Sequence, residues 1–262
     1  MYCSDVPAAR PVPIDEPTEG RKADRVANDL LRRIVRGDLE VGSILPREQE
    51  LADEYEVNRS VLREAIKLLE VHRLVRPTRR RGTEVLSPLA SLSPEVLRAM
   101  LSPRPGHIDT KVLASVLEIR SALDVQMVGL AAERTTKAEI RAMEAELERL
   151  AKVLVEPARY TEASFAFSIL LARATKNPVF EMLAHWNRRV IEDLEHVFAA
   201  IRQNPEPHLH GWELLVECFR KKDAAGAREL VAAFHAWATP RLLASAALAN
   251  GTPLRRVLEQ TR

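Results

Sequence analysis

The chain has 262 residues, 46% of them hydrophobic and 29% charged, enough for a sizeable core that divides most simply over two domains. Its net charge of +2 argues neither for nor against a polyanionic partner, and no apolar run approaches membrane-spanning length. The cysteines, Cys3 and Cys218, do not make a disulfide framework, so a reduced cytoplasm is the expected setting.

Glycine and aromatic residues are scarce while Ala, Leu, Glu and Arg dominate, so helix is expected throughout. Residues 1–20, MYCSDVPAARPVPIDEPTEG, lack the basic-then-apolar layout of a signal peptide and read as a disordered, Pro-rich tail. The next segment, 21–86, holds 15 Lys and Arg against 12 Asp and Glu. In it, ADRVANDLLRRIVR places Val26, Leu30 and Ile34 on one helical face that ends at Gly37. Gly42 then turns the chain, Ser43 to Leu45 reads as a short extended piece, and Pro46 suits the first turn of a second helix running to about Tyr55. Asn58 is placed to cap a third helix, with Leu62, Ile66 and Leu69 as its buried stripe. RLVRPTRRRGTEVLS follows, with β-formers Val75 and Val85 around a tight turn near Gly82. Three helices and a β-hairpin outline a winged helix-turn-helix.

Residues 87–108 are rich in Pro and Ser and read as a linker with one short helix, capped by Ser93 and carrying Pro94 and Glu95 in its first turn. A helical domain over 109–250 and a tail over 251–262 complete the chain. The main helices are predicted near 110–133, 137–154, 158–175, 178–203, 208–222 and 223–247. Thr136 with Glu139 makes a capping box, and Ile140, Met143, Leu147, Leu150 and Leu154 give that helix its stripe. Asn177-Pro178 marks another helix start, and ASFAFSILLARA, apolar nearly all round, belongs inside the bundle. The expected fold is therefore mainly α: an N-terminal winged helix-turn-helix plus a C-terminal all-α bundle of six to seven helices.

The front of the third helix carries Asn58, Arg59, Ser60 and Arg63. A recognition helix presents its first turn to base edges, and Asn, Arg and Ser have the donors and acceptors to bond bases or phosphates. A capped surface helix with solvated charges would look the same. The hairpin tips the balance, because Arg79, Arg80 and Arg81 crowd a narrow turn where they repel one another. A phosphate backbone or a narrow minor groove turns that repulsion into attraction.

Here the sequence resembles a known family. DLLRRIVRGDLEVGSILPREQELADEYEVNRSVLREAIKLLEVHRLV and RRRGTEV are similar to the winged-helix domain of GntR-family bacterial transcription regulators. The resemblance implies DNA contacts from Gln49, Asn58, Arg59, Ser60, Arg63, Arg79 and Arg80. Gln49 stands where arginine is common, and Arg80 where a wing glycine is common.

The remainder resembles the FadR-type effector domain of that family, on LEIRSALDVQMVGLAAERTTKAEI, FAFSILLARATKNPVF and VECFRKKDAAGARELVAAFHAW. Many such domains hold a divalent metal through one Asp and three His. Anchored on Asn177-Pro178, the corresponding positions fall on Ser164, Ser168, Trp212 and Phe234, the last beside His235. Serine, tryptophan and phenylalanine are poor ligands for such ions, so neither a metal nor a cofactor is expected. His208 and His210 read as a surface loop pair. Loss of the ligands resembles the branch that senses fatty acids or acyl-CoA, and Ser and aromatic residues in place of Asp and His suit an acyl chain. Taken alone, each serine is read first as bonding the carbonyl one turn back. Arg120 matches an arginine that in this class often faces the effector's negative group, with Glu118 or Asp124 as alternative structural partners. The expected effector set is thus Arg120, Ser164, Ser168, Trp212, Phe234 and His235.

Taken together, the expected protein is a homodimer on a palindromic double-stranded DNA operator, acting as a repressor. Its effector would be a fatty acyl-CoA or fatty acid, or alternatively a small organic or sugar acid anchored on Arg120. A dimerisation domain blind to ligands is a further alternative. An enzyme using His235 as a base lacks an orienting acid or nucleophile, and no enzyme activity and no membrane association are expected.

Overall fold

The computed structural model describes residues 19–198, 205–253 and 255. The expected tails, 1–20 and 251–262, lie outside them apart from Glu19, Gly20, 251–253 and 255. The chain divides into two compact units, Met1–Ser91 and Leu92–Arg262.

In the first unit, α1 (Glu19–Arg36) packs on α3 (Arg59–Val71), with α2 (Glu48–Glu54) against α3. Leu30, Ile34, Leu51, Leu62 and Leu69 are all but sealed from solvent. Burying each such side chain contributes roughly 1.5–3 kcal/mol. Helix α2 begins later than the sequence predicts: Pro46 lies before Arg47, the N-cap residue, whose extended backbone (ψ 146°) suits the residue that precedes a helix. Asn58 caps α3, its Oδ1 accepting from the Val61 amide at 2.8 Å. Such a cap contributes about 1 kcal/mol. Tyr55 ties α2 to α1, donating to Asp29 Oδ2 at 2.5 Å and accepting from Arg33 Nη1 at 3.0 Å. Arg33 also pairs with Glu54 at 2.8 Å.

Strands β1 (Val75–Thr78) and β2 (Gly82–Val85) form an antiparallel hairpin in register Val75↔Val85 and Thr78↔Gly82. The extended piece expected at Ser43 to Leu45 joins it, with Ile44 bridged to Glu84 and the Leu45 amide donating to the Thr83 carbonyl at 2.8 Å. Gly82 is required there: its φ is +107°, and a Cβ would approach Ile44 Cγ2 to 2.8 Å.

The segment read as a linker is divided between the units. Pro88–Ala90 forms a 3₁₀ turn in the first. In the second, α4 (Pro94–Leu101), capped by Ser93, packs on α8 (Pro178–Ile191) with Val96 and Leu101 buried. Two long helices, α5 (Thr110–Arg134) and α11 (Ala224–Ala249), form the spine of this unit. They run antiparallel. Asn250 exchanges two 2.7 Å hydrogen bonds with the Ile108 backbone at one end, and Arg228 reaches Glu133 at 3.3 Å at the other. Gly129 makes the second contact possible, since a Cβ there would meet the Arg228 guanidinium at 2.3 Å.

Around the spine stand α6 (Lys137–Lys152), α7 (Pro157–Ala174) and α10 (Pro205–Lys221). The core has two parts. One joins Met127, Met143, Leu150, Phe167 and Phe219 along α5, α6, α7 and α10. The other joins Leu101, Leu117, Val190, Phe198 and Leu242. Between Tyr160 and Thr175 only Glu162, Ala166 and Arg173 are exposed, so α7 lies largely inside, as its composition predicts. The predicted helix 178–203 is interrupted: α8 ends at Ile191, a 3₁₀ turn spans Glu192–Leu194, and α9 covers Glu195–Phe198. Residues 199–203 of that predicted helix lie outside the described set. Among the described residues no helix is long and apolar enough to cross a membrane.

Candidate nucleic-acid interface and effector site

The first turn of α3 is exposed at Asn58, Arg59, Ser60 and Arg63, because Val61, Leu62, Ala65 and Ile66 take the buried face. The capping oxygen of Asn58 also accepts from the Ser60 hydroxyl at 2.8 Å, so the helix start is ordered by its own side chains. Both arginines are held from α2. Arg59 Nε donates to Gln49 Oε1 at 2.5 Å, and Arg63 Nε donates to Glu48 Oε2 at 2.8 Å. Gln49 Nε2 in turn donates to Asp53 Oδ1 at 2.6 Å. Asp53 and Glu48 were not among the sequence candidates. Their positions on α2, one turn apart from or adjacent to Gln49, are the signal that points to them.

Arg79, Arg80 and Arg81 form the exposed bend between β1 and β2. Among the described residues none of the three makes a side-chain ion pair, whereas Arg76 nearby is occupied by Glu84 at 2.9 Å. That bond holds the Glu84 carboxyl below its ordinary range. Arg80 has φ +63°, the left-handed region in which glycine sits without strain. A bulky cation has been placed where the backbone favours the smallest residue.

In the second unit four of the six effector candidates fall into two groups, which adjoin where the Phe234 and His235 rings lie 5.7 Å apart. Arg120 and His235 meet at Asp124, a residue the sequence suggested only as a partner for Arg120. Arg120 Nε lies 3.4 Å from Asp124 Oδ2, and His235 Nε2 lies 3.1 Å from the same oxygen. Arg120 also stands over the Phe198 ring, 5.7 Å from its centroid. Burial pushes the Asp124 carboxyl up, but the His235 hydrogen bond and the Arg120 charge outweigh it and hold it below the ordinary range. The expectation that His235 lacks an orienting acid is corrected: Asp124 supplies one. Glu118 is exposed.

The other group is aromatic. Trp212 stacks on Phe167 with centroids 4.4 Å apart, and His208 lies 4.6 Å from Trp212 and 5.7 Å from Phe234. The reading of His208 as a surface loop histidine is corrected, since it sits on α10 with Nδ1 2.8 Å from the Tyr160 hydroxyl. His210, its neighbour, is exposed beside Glu213. His208 precedes Trp212 by four residues, so helical spacing puts both on one face. Ser168 donates to the Phe165 carbonyl at 2.7 Å, the local bond expected of a helical serine. Ser164 does not: its hydroxyl oxygen is sealed from solvent with no hydrogen-bond partner among the described residues. At the positions where the resembling domains carry metal ligands, this chain has two serines and two aromatic rings. Among the described residues no three His, Cys, Asp or Glu side chains converge as a metal site. The donor set does not suit a divalent ion.

Comparison with known proteins agrees with this division. The family profile described as "Bacterial regulatory proteins, gntR family" matches residues 22–85, and that of the FCD domain matches residues 115–235. The galactonate operon transcriptional repressor of Escherichia coli is 26% identical over 227 residues, covering 84% of this chain and 96% of that protein. The uncharacterized HTH-type transcriptional regulator YieP of Escherichia coli is 32% identical over 164 residues, covering 61% of this chain and 70% of that protein. A solved structure of Lar, which controls expression of the Listeria monocytogenes agr system, has the same fold. It superposes with a TM-score of 0.56 at 18% identity, covering 84% of this chain and 95% of that one.

Proposed function

The chain belongs to the gntR family of bacterial regulatory proteins and carries an FCD domain, and on that premise we propose that it is a cytoplasmic transcriptional repressor, a homodimer on a palindromic operator. The observation that carries the reading is the exposed start of α3. There Arg59 and Arg63 point their guanidinium groups outward while α2 holds each by its Nε. Gln49, Asn58, Ser60, Arg79 and Arg80 complete the surface, the wing arginines supplying sequence-blind attraction to phosphate. The protein acts by binding and not by catalysis.

The C-terminal unit takes a small effector that shifts the population of DNA-binding states. A small organic or sugar acid is favoured by Arg120, a cation its carboxylate would pair with on displacing the Asp124 carboxylate that holds Arg120 and His235 in the free protein. The likeness to a galactonate operon repressor points the same way. A fatty acid or fatty acyl-CoA is the second reading, favoured by the apolar cluster that holds Phe167 and Trp212, with Ser164 on the same helix as Phe167.

The test has two arms. Duplexes selected from genomic fragments at low salt, followed by gel-shift titration and sedimentation of the complex, should give a palindromic site bound by two chains. Thermal unfolding with a panel of sugar acids, small organic acids and long-chain acyl-CoA then assigns the effector class. Failure of the protein to bind any fragment at low ionic strength overturns the regulator reading, and stabilisation by none of the ligands leaves the C-terminal unit as a dimerisation domain.

A further inference from the structure

Asp53, Gln49 and Arg59 form a chain of hydrogen bonds along the exposed edge of α2 and across to the start of α3. We infer that Asp53 and Gln49 are positioning residues that fix Arg59 as a two-pronged reader of one guanine in each operator half-site, an inference that rests on the regulator reading above. A glutamine amide has a donor end and an acceptor end, and nothing in its shape decides which faces where. Here both neighbours decide. Asp53 presents a carboxylate oxygen 2.6 Å from Nε2, which only a donor can satisfy, and Arg59 presents an N–H 2.5 Å from Oε1, which only an acceptor can satisfy. Reversing the amide would put two acceptors together at one end and two donors at the other.

The consequence lies in which atom of Arg59 is used. The bond to Gln49 takes Nε, and among the described residues neither Nη of Arg59 makes a hydrogen bond. Those two terminal nitrogens are the pair that matches guanine O6 and N7 in the major groove. A guanidinium anchored at its inner nitrogen loses less freedom on docking than one waving in solvent, and its fork keeps a defined direction. Gln49, Asp53 and Arg59 are all exposed in the free protein, where water weakens each bond. A duplex laid over them would exclude that water and strengthen the chain. An arginine at position 49 would break this arrangement, since it has no acceptor to offer Arg59. The glutamine at this position is therefore a determinant of specificity in this chain.

The experiment uses the full-length protein. Duplexes are selected from a randomised library, and the tightest is titrated with every single-base change at fixed ionic strength. Arg59→Lys identifies the guanine, since lysine cannot make the paired contact. Asp53→Ala is expected to lower discrimination at that same base roughly fivefold or more, leaving discrimination elsewhere and the salt dependence unchanged. Asp53→Asn keeps an acceptor for Gln49 Nε2 and is expected to retain the wild-type preference. Unfolding midpoints of the three variants check that the fold is kept. Unchanged discrimination in Asp53→Ala, or an Asp53→Asn variant that fails as badly as Asp53→Ala, overturns the inference and leaves the regulator reading standing. A wild-type protein that selects no duplex overturns both.

Discussion

Asp124 on α5 and His235 on α11 meet 3.1 Å apart, a polar link midway along the two helices of the spine, with Arg120 bonded to the same carboxylate oxygen at 3.4 Å. His235 is 7% exposed, so replacing the partner anion by a neutral amide weakens the hydrogen bond to a nearly buried ring nitrogen. Asp124→Asn should cost roughly 1–2 kcal/mol in denaturant unfolding near neutral pH. The sign of the pH dependence follows from the lowered Asp124 pKa. The stability this carboxylate contributes is fully present above its unfolded value near ~4 and is lost as pH falls through the lower folded value. The gap between wild type and Asp124→Asn should therefore close below about pH 4, and a gap constant through that range would refute this account.

Arg59→Ala and Arg63→Ala should each weaken operator binding by roughly 1–3 kcal/mol, the range for a good base contact. Both side chains are exposed and sit outside the core, so unfolding midpoints should stay near wild type. Gel-shift titration at constant salt is the measurement. Wild-type affinity in both variants would remove the start of α3 from the interface.

Arg80→Gly separates backbone strain from charge. With φ +63°, the arginine sits where glycine is relaxed, so the change should leave stability unchanged or raise it by up to about 1 kcal/mol. DNA affinity should fall nonetheless, and the slope of log affinity against log salt should shrink by roughly one. Relaxed discrimination between bases, with an unchanged slope, would show that Arg80 reads sequence instead of phosphate.

What was legible in advance is what local chemistry determines. The Asn58 cap, the Thr136 capping box and the wing turn each depend on residues within a few positions of one another, and each is formed as its sequence predicts. The partners of His208 and His235 depend on register between distant helices: Tyr160 lies 48 residues from His208, and Asp124 lies 111 residues from His235. No periodicity carries that information. The end of α8 at Ile191 was also missed, because neither Pro nor Gly marks the break. In the candidate interface the exposed arginines were legible, but their anchoring on Gln49 and Glu48 required the crossing of α2 and α3.

Tyr55 gives a spectroscopic check on the packing of α1 and α2. Burial, then the hydrogen bond to Asp29, pushes its phenol up to about 12. The stability associated with this group is fully present below the unfolded value of ~10 and is lost as pH rises through the folded value. Ultraviolet titration of wild type minus Tyr55→Phe should isolate one component with a midpoint of about 12. The variant should also lose roughly 1 kcal/mol at neutral pH, where its bonds to Asp29 and Arg33 are broken. A difference component centred near the unfolded tyrosine value would mean that Tyr55 is solvated and the clasp open.

Ser164 offers the sharpest test of the effector unit, because its hydroxyl has no structural bond to lose. The oxygen is sealed from solvent without a partner among the described residues, on a helix whose Phe167 belongs to the core. An unpaired buried hydroxyl destabilises a fold by roughly 1–3 kcal/mol relative to a satisfied one. Ser164→Ala should therefore leave the free protein as stable as wild type or more stable by up to about 1 kcal/mol. If the hydroxyl is kept for an effector, the same variant should show a smaller ligand-induced rise in unfolding temperature than wild type. Ser168→Ala, which removes only the local bond to Phe165, should leave that rise unchanged. A destabilised Ser164→Ala would mean that the hydroxyl is already paired in solution, and an unaltered ligand response would place the effector elsewhere in the bundle.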